Sequence, residues 1–241
     1  MVFLPLSDDA APHEGRAFVT LTLIALTVAV FLWRFWATGG ADLAFQLRWG
    51  VVPAVAEGAF GGDAFVRGAP FVTYMFLHAG WAHLFVNMLF LWIFGDDVEH
   101  ATGPARFLAL YTLCGVAGAA AQVALGPRWA APLVGASAAV AGVMGAYLMI
   151  RPCAKVKVLV IVVVVRILAV WLIVGWGAMQ VSRALAADDA PVAWWAHVGG
   201  LVAGALLIPI LKRKDIRLLQ CRQTGAGAVG PARRGGRPLD G

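Results

Sequence analysis

Six apolar segments, separated by more polar connections, restrict this chain to a small set of folds. They cover residues 18–36, 82–95, 106–125, 137–150, 167–185 and 192–211. A helix needs about 20 mostly apolar residues to cross the hydrocarbon core of a bilayer. The chain is 61% hydrophobic and only 13% charged, whereas soluble domains carry about 25% charged residues. The sequence therefore predicts an all-α polytopic membrane protein with six transmembrane helices.

The basic residues around these segments predict how the chain is oriented. Arg151, Lys155 and Lys157 follow the fourth segment, and a cluster that starts at Lys212 follows the sixth. Loops rich in Lys and Arg remain in the cytoplasm, so six spans would place both termini there. We expect three parts: a cytoplasmic N-terminal segment (1–16), a six-helix membrane domain (17–212) and a basic, disordered cytoplasmic tail (213–241).

Two kinds of partner fit the basic tail. A cluster of Lys and Arg can bind nucleic acid, and it can equally contact anionic lipid at the cytoplasmic surface. The positive-inside pattern already accounts for the cluster. Membrane lipid is therefore the expected partner, and no nucleic acid is expected.

A valine-rich stretch, residues 156–165, lies between the fourth and fifth segments. Its periodicity fits a strand, an interfacial segment or the start of a helix. The three cysteines, Cys114, Cys153 and Cys221, show no paired spacing, and the last two lie beside basic segments expected in the cytoplasm. Neither a disulfide nor a zinc site is expected.

Polar side chains inside the apolar segments are the candidates for function, because polar groups at membrane depth are costly. Ser137 opens the fourth segment among small residues, and His197 lies in the sixth, ahead of the GxxxG pattern formed by Gly200 and Gly204. Such glycines let two helices approach closely. If the fourth and sixth helices meet there, the imidazole can accept the hydroxyl proton and activate a nucleophile.

The second segment supplies further polar groups. His83 and Asn87 are four residues apart, so they share one helix face. They can donate hydrogen bonds to a developing oxyanion, together with the first backbone N–H groups of the fourth helix, which the chain enters through Gly135. No carboxylate is placed to orient His197, so the pattern predicts a Ser-His dyad. Hydrogen bonds between helices remain the alternative for these polar residues, and they are the preferred interpretation of Gln122 and Gln180.

At this point the residues resemble the rhomboid family of intramembrane serine proteases. Four motifs carry the resemblance, in this order: HAGWAHLFVNM at 78–88, GDDVEHATGPARF at 95–107, GAS at 135–137 and HVGG at 197–200. The resemblance covers about residues 71–211. It implies a six-helix rhomboid-like bundle in which Ser137 is the nucleophile and His197 the general base and acid. His83, Asn87 and Gly135 would help to bind the oxyanion and the substrate.

The resemblance also implies hydrolysis of a peptide bond in a single-span membrane protein, near the extracytoplasmic end of its helix. It implies no metal and no cofactor. We expect an integral, multi-pass protein of a bacterial inner (cell) membrane with both termini cytoplasmic. No oligomeric state is specified by the sequence.

Two positions depart from the family pattern. Ala138 replaces the usual glycine after the serine, which narrows the space beside the oxyanion. Ala141 replaces an aromatic residue against which the catalytic imidazole packs. Either His197 is held less firmly, or another aromatic such as Trp194 or Trp195 takes that place. These departures leave open a catalytically silent relative that binds membrane clients. A small transporter or channel is a third interpretation of the intramembrane His and Asn.

Overall fold

A computed structural model describes residues 3–9, 17–38, 43–56, 68–127, 130–186 and 192–221. The fold is mostly helical. Its helices are α1 (Phe18–Thr38), α2 (Leu43–Trp49), α3 (Pro53–Ala56), α4 (Pro70–Thr73, continued by a 3-10 turn at Tyr74–Phe76), α5 (Trp81–Thr102), α6 (Pro104–Leu125), α7 (Ser137–Ile150), α8 (Ala169–Leu185) and α9 (Trp194–Leu211). Each of the six predicted segments corresponds to a helix.

Three of these helices, α1, α6 and α9, are long and apolar enough to cross a membrane. A fourth candidate is the pair formed by α4 with its 3-10 turn and α5, which bend by 97° at the break between them. The apolar helices α7 and α8 are shorter. The described residues thus contain three to four candidate spans, and the count of six remains a prediction.

The second segment continues further than the sequence indicated. The sequence predicted an end at Gly95, just before a run of acidic residues, but α5 runs to Thr102. Two of these acidic side chains are buried against partners on other elements. Asp97 forms an ion pair with Arg151 at 3.0 Å, and Glu99 accepts hydrogen bonds from the Val19 and Thr20 backbone N–H groups at the start of α1. Paired in this way, the carboxylates do not have to end the helix.

Helix α7 is the centre of the bundle. It begins at Ser137 and ends at Ile150, as predicted, and nearly all its residues are buried. The GxxxG glycines of α9 lie directly against it: a Cβ at Gly200 would meet the Ala138 carbonyl, and a Cβ at Gly204 would meet the Gly142 carbonyl. The predicted close approach of the fourth and sixth helices is therefore confirmed.

A three-stranded antiparallel sheet corrects the expectation of an all-α fold. Strands β2 (Lys155–Val160) and β3 (Val163–Leu168) form a hairpin, and β1 (Phe3–Asp8) pairs with β2 on the other side. The valine-rich stretch is thus a strand pair. β-branched residues fit a half-buried pleated surface well, and here Val156 and Val158 are fully buried. Part of the predicted N-terminal segment is the strand β1.

The expectation of no disulfide is wrong: Cys153 and Cys221 are joined, with their Cα atoms 4.8 Å apart. The chain folds back after α9, and the Leu219 and Gln220 N–H groups donate to the Met149 and Ile150 carbonyls at the end of α7. This return brings together two cysteines that are 68 residues apart in sequence. The first part of the predicted tail, to residue 221, is folded, and residues 222–241 lie outside the described residues.

Candidate active site

Ser137 and His197 lie within hydrogen-bond distance of each other. Ser137 begins α7, and His197 lies in the first turn of α9. The Ser137 Oγ and His197 Nε2 atoms are 2.9 Å apart. The close packing of Gly200 and Gly204 on α7 sets this distance, because it leaves no side chain between the helices. The arrangement meets the geometric requirement for a nucleophile and its base.

The other ring nitrogen of His197 also has a partner. Gln180 Oε1 on α8 lies 2.9 Å from His197 Nδ1. An amide oxygen only accepts, so Nδ1 carries the proton and Nε2 presents its lone pair to Ser137. Gln180 was interpreted as an ordinary contact between helices, and its link to the imidazole was missed. Gln122 fits that interpretation, since its Oε1 accepts from the Ala196 backbone N–H at 3.3 Å.

Aromatic rings surround the imidazole even though position 141 is alanine. The Trp176 ring lies 5.8 Å from the His197 ring, and the Trp194 ring lies 6.3 Å away, nearly perpendicular to it. Trp194 was one of the two expected replacements, whereas Trp176 was not foreseen. Trp176 is on the same helix as Gln180, one turn earlier, so α8 fixes both the hydrogen bonding and the packing of His197.

The second departure, Ala138, is accommodated by a neighbouring glycine. A Cβ at Gly118 on α6 would lie 2.6 Å from the Ala138 Cβ, so the absence of a side chain there makes room for the extra methyl group. Ala138 is buried and is not among the residues that line the cavity around Ser137. The methyl group therefore packs between helices, away from the space in which a substrate would bind.

Of the predicted oxyanion residues, His83 and Asn87 line the same cavity as Ser137, and Gly135 lies two residues before it in the chain. Gly135 has φ of +125°, and a Cβ there would meet the His83 ring at 2.6 Å. Only glycine suits both this backbone conformation and the close approach of the ring. Asn87 Nδ2 donates to the His83 carbonyl at 2.8 Å, and its second N–H is available to another acceptor.

His78, which was not among the predicted site residues, contacts both His83 and the segment that leads into Ser137. Its ring is 5.0 Å from the His83 ring, and its Nε2 accepts from the Ala136 backbone N–H at 3.4 Å. Arg34, buried on α1, donates to the His78 carbonyl at 2.5 Å. His78 therefore contacts the segment that enters α7, and Arg34 in turn holds the backbone at His78. His78 belongs to the HAGWAHLFVNM motif, which is the signal that could have identified it.

A cavity of about 1310 Å³ surrounds these groups. The polar side chains that line it include His83 and Asn87 of α5, Ser137 of α7, Gln180 of α8 and His197 of α9. The first N–H groups of α7 have no carbonyl one turn earlier to bond within the helix, and the helix dipole favours negative charge at that end. The cavity therefore combines a hydroxyl, an imidazole and several hydrogen-bond donors, the set required for acyl transfer.

Comparison with known proteins identifies the family to which the chain belongs. A family model described as "Rhomboid domain" matches residues 66–214, which is more than half of the chain. Rhomboid protease GluP of Bacillus subtilis is 30% identical over 232 residues, covering 93% of this chain and 42% of that protein. Rhomboid protein 1, mitochondrial, of Saccharomyces cerevisiae is 32% identical over 143 residues, covering 54% and 38%. The putative rhomboid protease YdcA of Bacillus subtilis is 37% identical over 81 residues, covering 32% and 38%.

The chain belongs to the rhomboid family. It is an integral membrane protein with apolar helices, as predicted. It spans less than half the length of each of the three relatives named above.

Proposed function

We propose that this chain is an intramembrane serine endopeptidase that cleaves single-span membrane proteins near the extracytoplasmic end of their transmembrane helix. Ser137 is the nucleophile and His197 is the general base and acid. The observation that carries the proposal is the 2.9 Å distance between Ser137 Oγ and His197 Nε2. Gln180 on the far side of the imidazole supports the tautomer that a base needs.

The proposed reaction follows ordinary acyl transfer. His197 Nε2 takes the hydroxyl proton as Ser137 Oγ bonds to the scissile carbonyl carbon. The carbonyl oxygen becomes an oxyanion, which the first N–H groups of α7, Asn87 and His83 stabilise. His197 then gives its proton to the leaving nitrogen, and the C–N bond breaks. A water molecule, deprotonated by His197, releases the acyl group and restores Ser137.

We further propose a six-helix membrane domain over residues 17–212, flanked by cytoplasmic segments at 1–16 and 213–241. Ser137 then lies near the extracytoplasmic end of α7, because Arg151, Lys155 and Lys157 follow the opposite end. This orientation agrees with the positive-inside rule and suits a bacterial inner membrane. It places the Cys153–Cys221 bond on the cytoplasmic side, where disulfides are rare. Water reaches the cavity from the extracytoplasmic side.

A substrate helix has to unwind before its peptide bond is accessible, since backbone groups in lipid remain hydrogen-bonded within the helix. Small or helix-breaking residues near the cleavage site are therefore expected to favour cleavage. Leucine substitutions at those positions should slow it. Equal rates for the parent and the leucine-stiffened substrate would contradict this part of the proposal.

A fluorophosphonate probe tests the nucleophile without knowledge of the substrate. The wild-type protein in mild detergent should be labelled, and the Ser137→Ala and His197→Ala variants should not be. Ser182→Ala is the matched control: Ser182 donates to the Met179 carbonyl on α8, and its loss should leave labelling unchanged. A folded wild-type protein that remains unlabelled would instead favour a catalytically silent relative that binds membrane clients.

A further inference from the structure

The tip of the β2–β3 hairpin has an unusual sequence for a two-residue turn. Ile161 and Val162 connect the strands, and Ile161 has φ of 60°. Turns of this kind are normally made with glycine or asparagine, because a β-branched residue is strained at positive φ. Both side chains are also exposed, at 79% and 83%. The chain therefore places two large apolar residues where water would favour small polar ones.

The apolar surface extends beyond the turn. Val163 and Val164, the first residues of β3, are exposed as well. Two side chains of the same hairpin, Val156 and Val158, are instead buried in the hydrophobic core. A contiguous exposed apolar patch on a folded protein marks a binding surface for protein or membrane.

Basic residues lie on the two strands that lead to this tip. Lys157 on β2 is directly opposite Arg166 on β3, and both side chains are exposed. Like charges in this position repel each other, and an anion between them would relieve the repulsion. Lys155 shares their face of β2, because side chains alternate along a strand. The nearby Asp8 accepts from the Tyr147 hydroxyl on the bundle side.

The position of the hairpin favours lipid as the occupant. It follows the last residue of α7 and precedes α8, so it lies at the end of α7 opposite Ser137. Lys157 is four residues before the tip, or about 13 Å along the strand. That separation allows apolar side chains to enter the acyl boundary while cationic groups remain at the phosphate level, as in other interfacial elements.

The open edge of the sheet limits how far the hairpin can enter a bilayer. β3 is the last strand of the sheet in the described part of the chain, so its outer backbone groups have no strand partner. Open sheet edges do not occur within the hydrocarbon region. Only the turn can therefore pass beyond the headgroups.

We infer that the β2–β3 hairpin is a binding site for acidic phospholipid, with the Ile161–Val162 turn inserted at the acyl boundary and Lys157 and Arg166 bound to headgroup phosphate. This site is separate from the proposed catalytic cavity. It anchors the connection between α7 and α8 to the membrane surface.

A single fluorescent label tests the insertion. Cys114 is buried, and Cys153 is bonded to Cys221, so a new exposed thiol can be labelled selectively. The full chain carrying Val162→Cys is labelled with an environment-sensitive dye and placed in liposomes of phosphatidylcholine and phosphatidylglycerol. The control positions are Asp215→Cys, exposed in the polar segment after α9, and Leu206→Cys, 69% exposed on the apolar face of α9.

The expected result is that nitroxide-bearing lipids quench the label at 162, as they quench the label at 206, while aqueous iodide quenches mainly the label at 215. Lipid quenching at 162 should fall when phosphatidylglycerol is omitted, and also in a Lys157→Gln, Arg166→Gln background. Quenching of the 162 label by iodide would overturn the inference. So would protection from both quenchers, which would indicate contact with another protein chain.

A second variant separates lipid binding from a structural role of the turn. The double substitution Ile161→Gly, Val162→Asn relieves the strain at positive φ. In detergent this variant should unfold at the same temperature as the parent or higher. In liposomes with phosphatidylglycerol it should show a smaller gain in unfolding temperature than the parent. An equal gain for both proteins would also overturn the inference.

Discussion

Gln180 Oε1 and His197 Nδ1 are 2.9 Å apart, on the side of the imidazole that faces away from Ser137. The imidazole is therefore held at both nitrogens, by an acceptor on α8 and by a hydroxyl on α7. A hydrogen bond at one ring nitrogen determines which tautomer is present, and therefore whether the other nitrogen donates or accepts a proton. Gln180 is thus placed as a positioning residue, in the location that a carboxylate occupies in a catalytic triad.

The first prediction concerns this contact. Gln180→Met keeps a similar shape but removes the acceptor, so the imidazole is free to adopt the other tautomer. We expect the rate of fluorophosphonate labelling at Ser137 to fall about fivefold, because a neutral hydrogen bond contributes about 1 kcal/mol and about 1.4 kcal/mol corresponds to a factor of ten in rate. The binding of a transmembrane substrate, followed as KM, should change little.

Gln180→Glu provides the rescue for that experiment. It retains an oxygen acceptor at the same position and should label much faster than the methionine variant. A purely structural role for Gln180 predicts the reverse order, since methionine is the better residue in an apolar bundle. Gln122→Met is the matched control: Gln122 contacts the Ala196 backbone and not the imidazole.

The second prediction tests how the two helices bring Ser137 and His197 together. A Cβ at Gly204 would meet the Gly142 carbonyl on α7, and backbone cannot move aside as a flexible side chain can. Gly204→Ala should push α9 away from α7 and lower the free energy of unfolding by about 1–3 kcal/mol, the usual cost of overpacking. Because His197 lies on α9, labelling of Ser137 should also fall.

Gly175→Ala is the control for this substitution. Gly175 lies in α8, and a Cβ there would meet no atom within 4 Å. Alanine is a better helix former than glycine, so this variant should be as stable as the parent or more stable. Thermal unfolding in detergent and the labelling rate measure both effects. A stable, fully labelled Gly204→Ala protein would show that close packing is not what sets the distance between Ser137 and His197.

The sequence predicts much of this architecture because the relevant signals are local. Hydropathy gives the positions of the helices, and the small residues around Ser137 and Gly200 predict their close contact. The pairing of Ser137 with His197 was predicted from short motifs that are weak signals alone and specific when they occur together in this order. All of these features depend on residues near one another in the chain or on a repeated spacing.

The features that were missed depend on tertiary contacts. Gln180 resembles Gln122 in sequence context, and only the position of α8 distinguishes their partners. The bond between Cys153 and Cys221 requires the chain to return to the end of α7, which no spacing indicates. The acidic residues of α5 looked like the end of a helix because their partners, Arg151 and the start of α1, are distant in sequence.

The third prediction concerns one of those acidic residues. The Glu99 carboxylate accepts from the Val19 and Thr20 backbone N–H groups and from the Thr20 hydroxyl, at 2.7–2.9 Å. It therefore holds the start of α1, where the helix dipole also favours a negative charge. Glu99→Gln replaces one acceptor oxygen by a donor that faces other donors. We expect a loss of about 1–3 kcal/mol in the free energy of unfolding, the cost of unsatisfied buried groups.

Asp96→Asn is the control for Glu99→Gln. Asp96 is on the same helix, but its side chain is 49% exposed and pairs with His100 one turn later. Exposed pairs of this kind contribute little, so the unfolding temperature should hardly change. Equal losses in the two variants would show that the contact with α1 is not important for stability.

The last prediction concerns the entry of a substrate helix. Val86 of α5 and Ala184 of α8 both line the cavity around Ser137, and a transmembrane substrate has to pass between helices to reach it. Joining Val86→Cys and Ala184→Cys with a short bis-maleimide should suppress cleavage of a transmembrane substrate in liposomes. Labelling by a small fluorophosphonate should persist, because the contact between Ser137 and His197 is unchanged.

Longer spacers should restore cleavage progressively, and each single variant treated with a monofunctional maleimide should remain active. Undiminished cleavage with the shortest spacer would exclude entry between α5 and α8, whereas a simultaneous loss of labelling would mean that the cross-link had distorted the site itself.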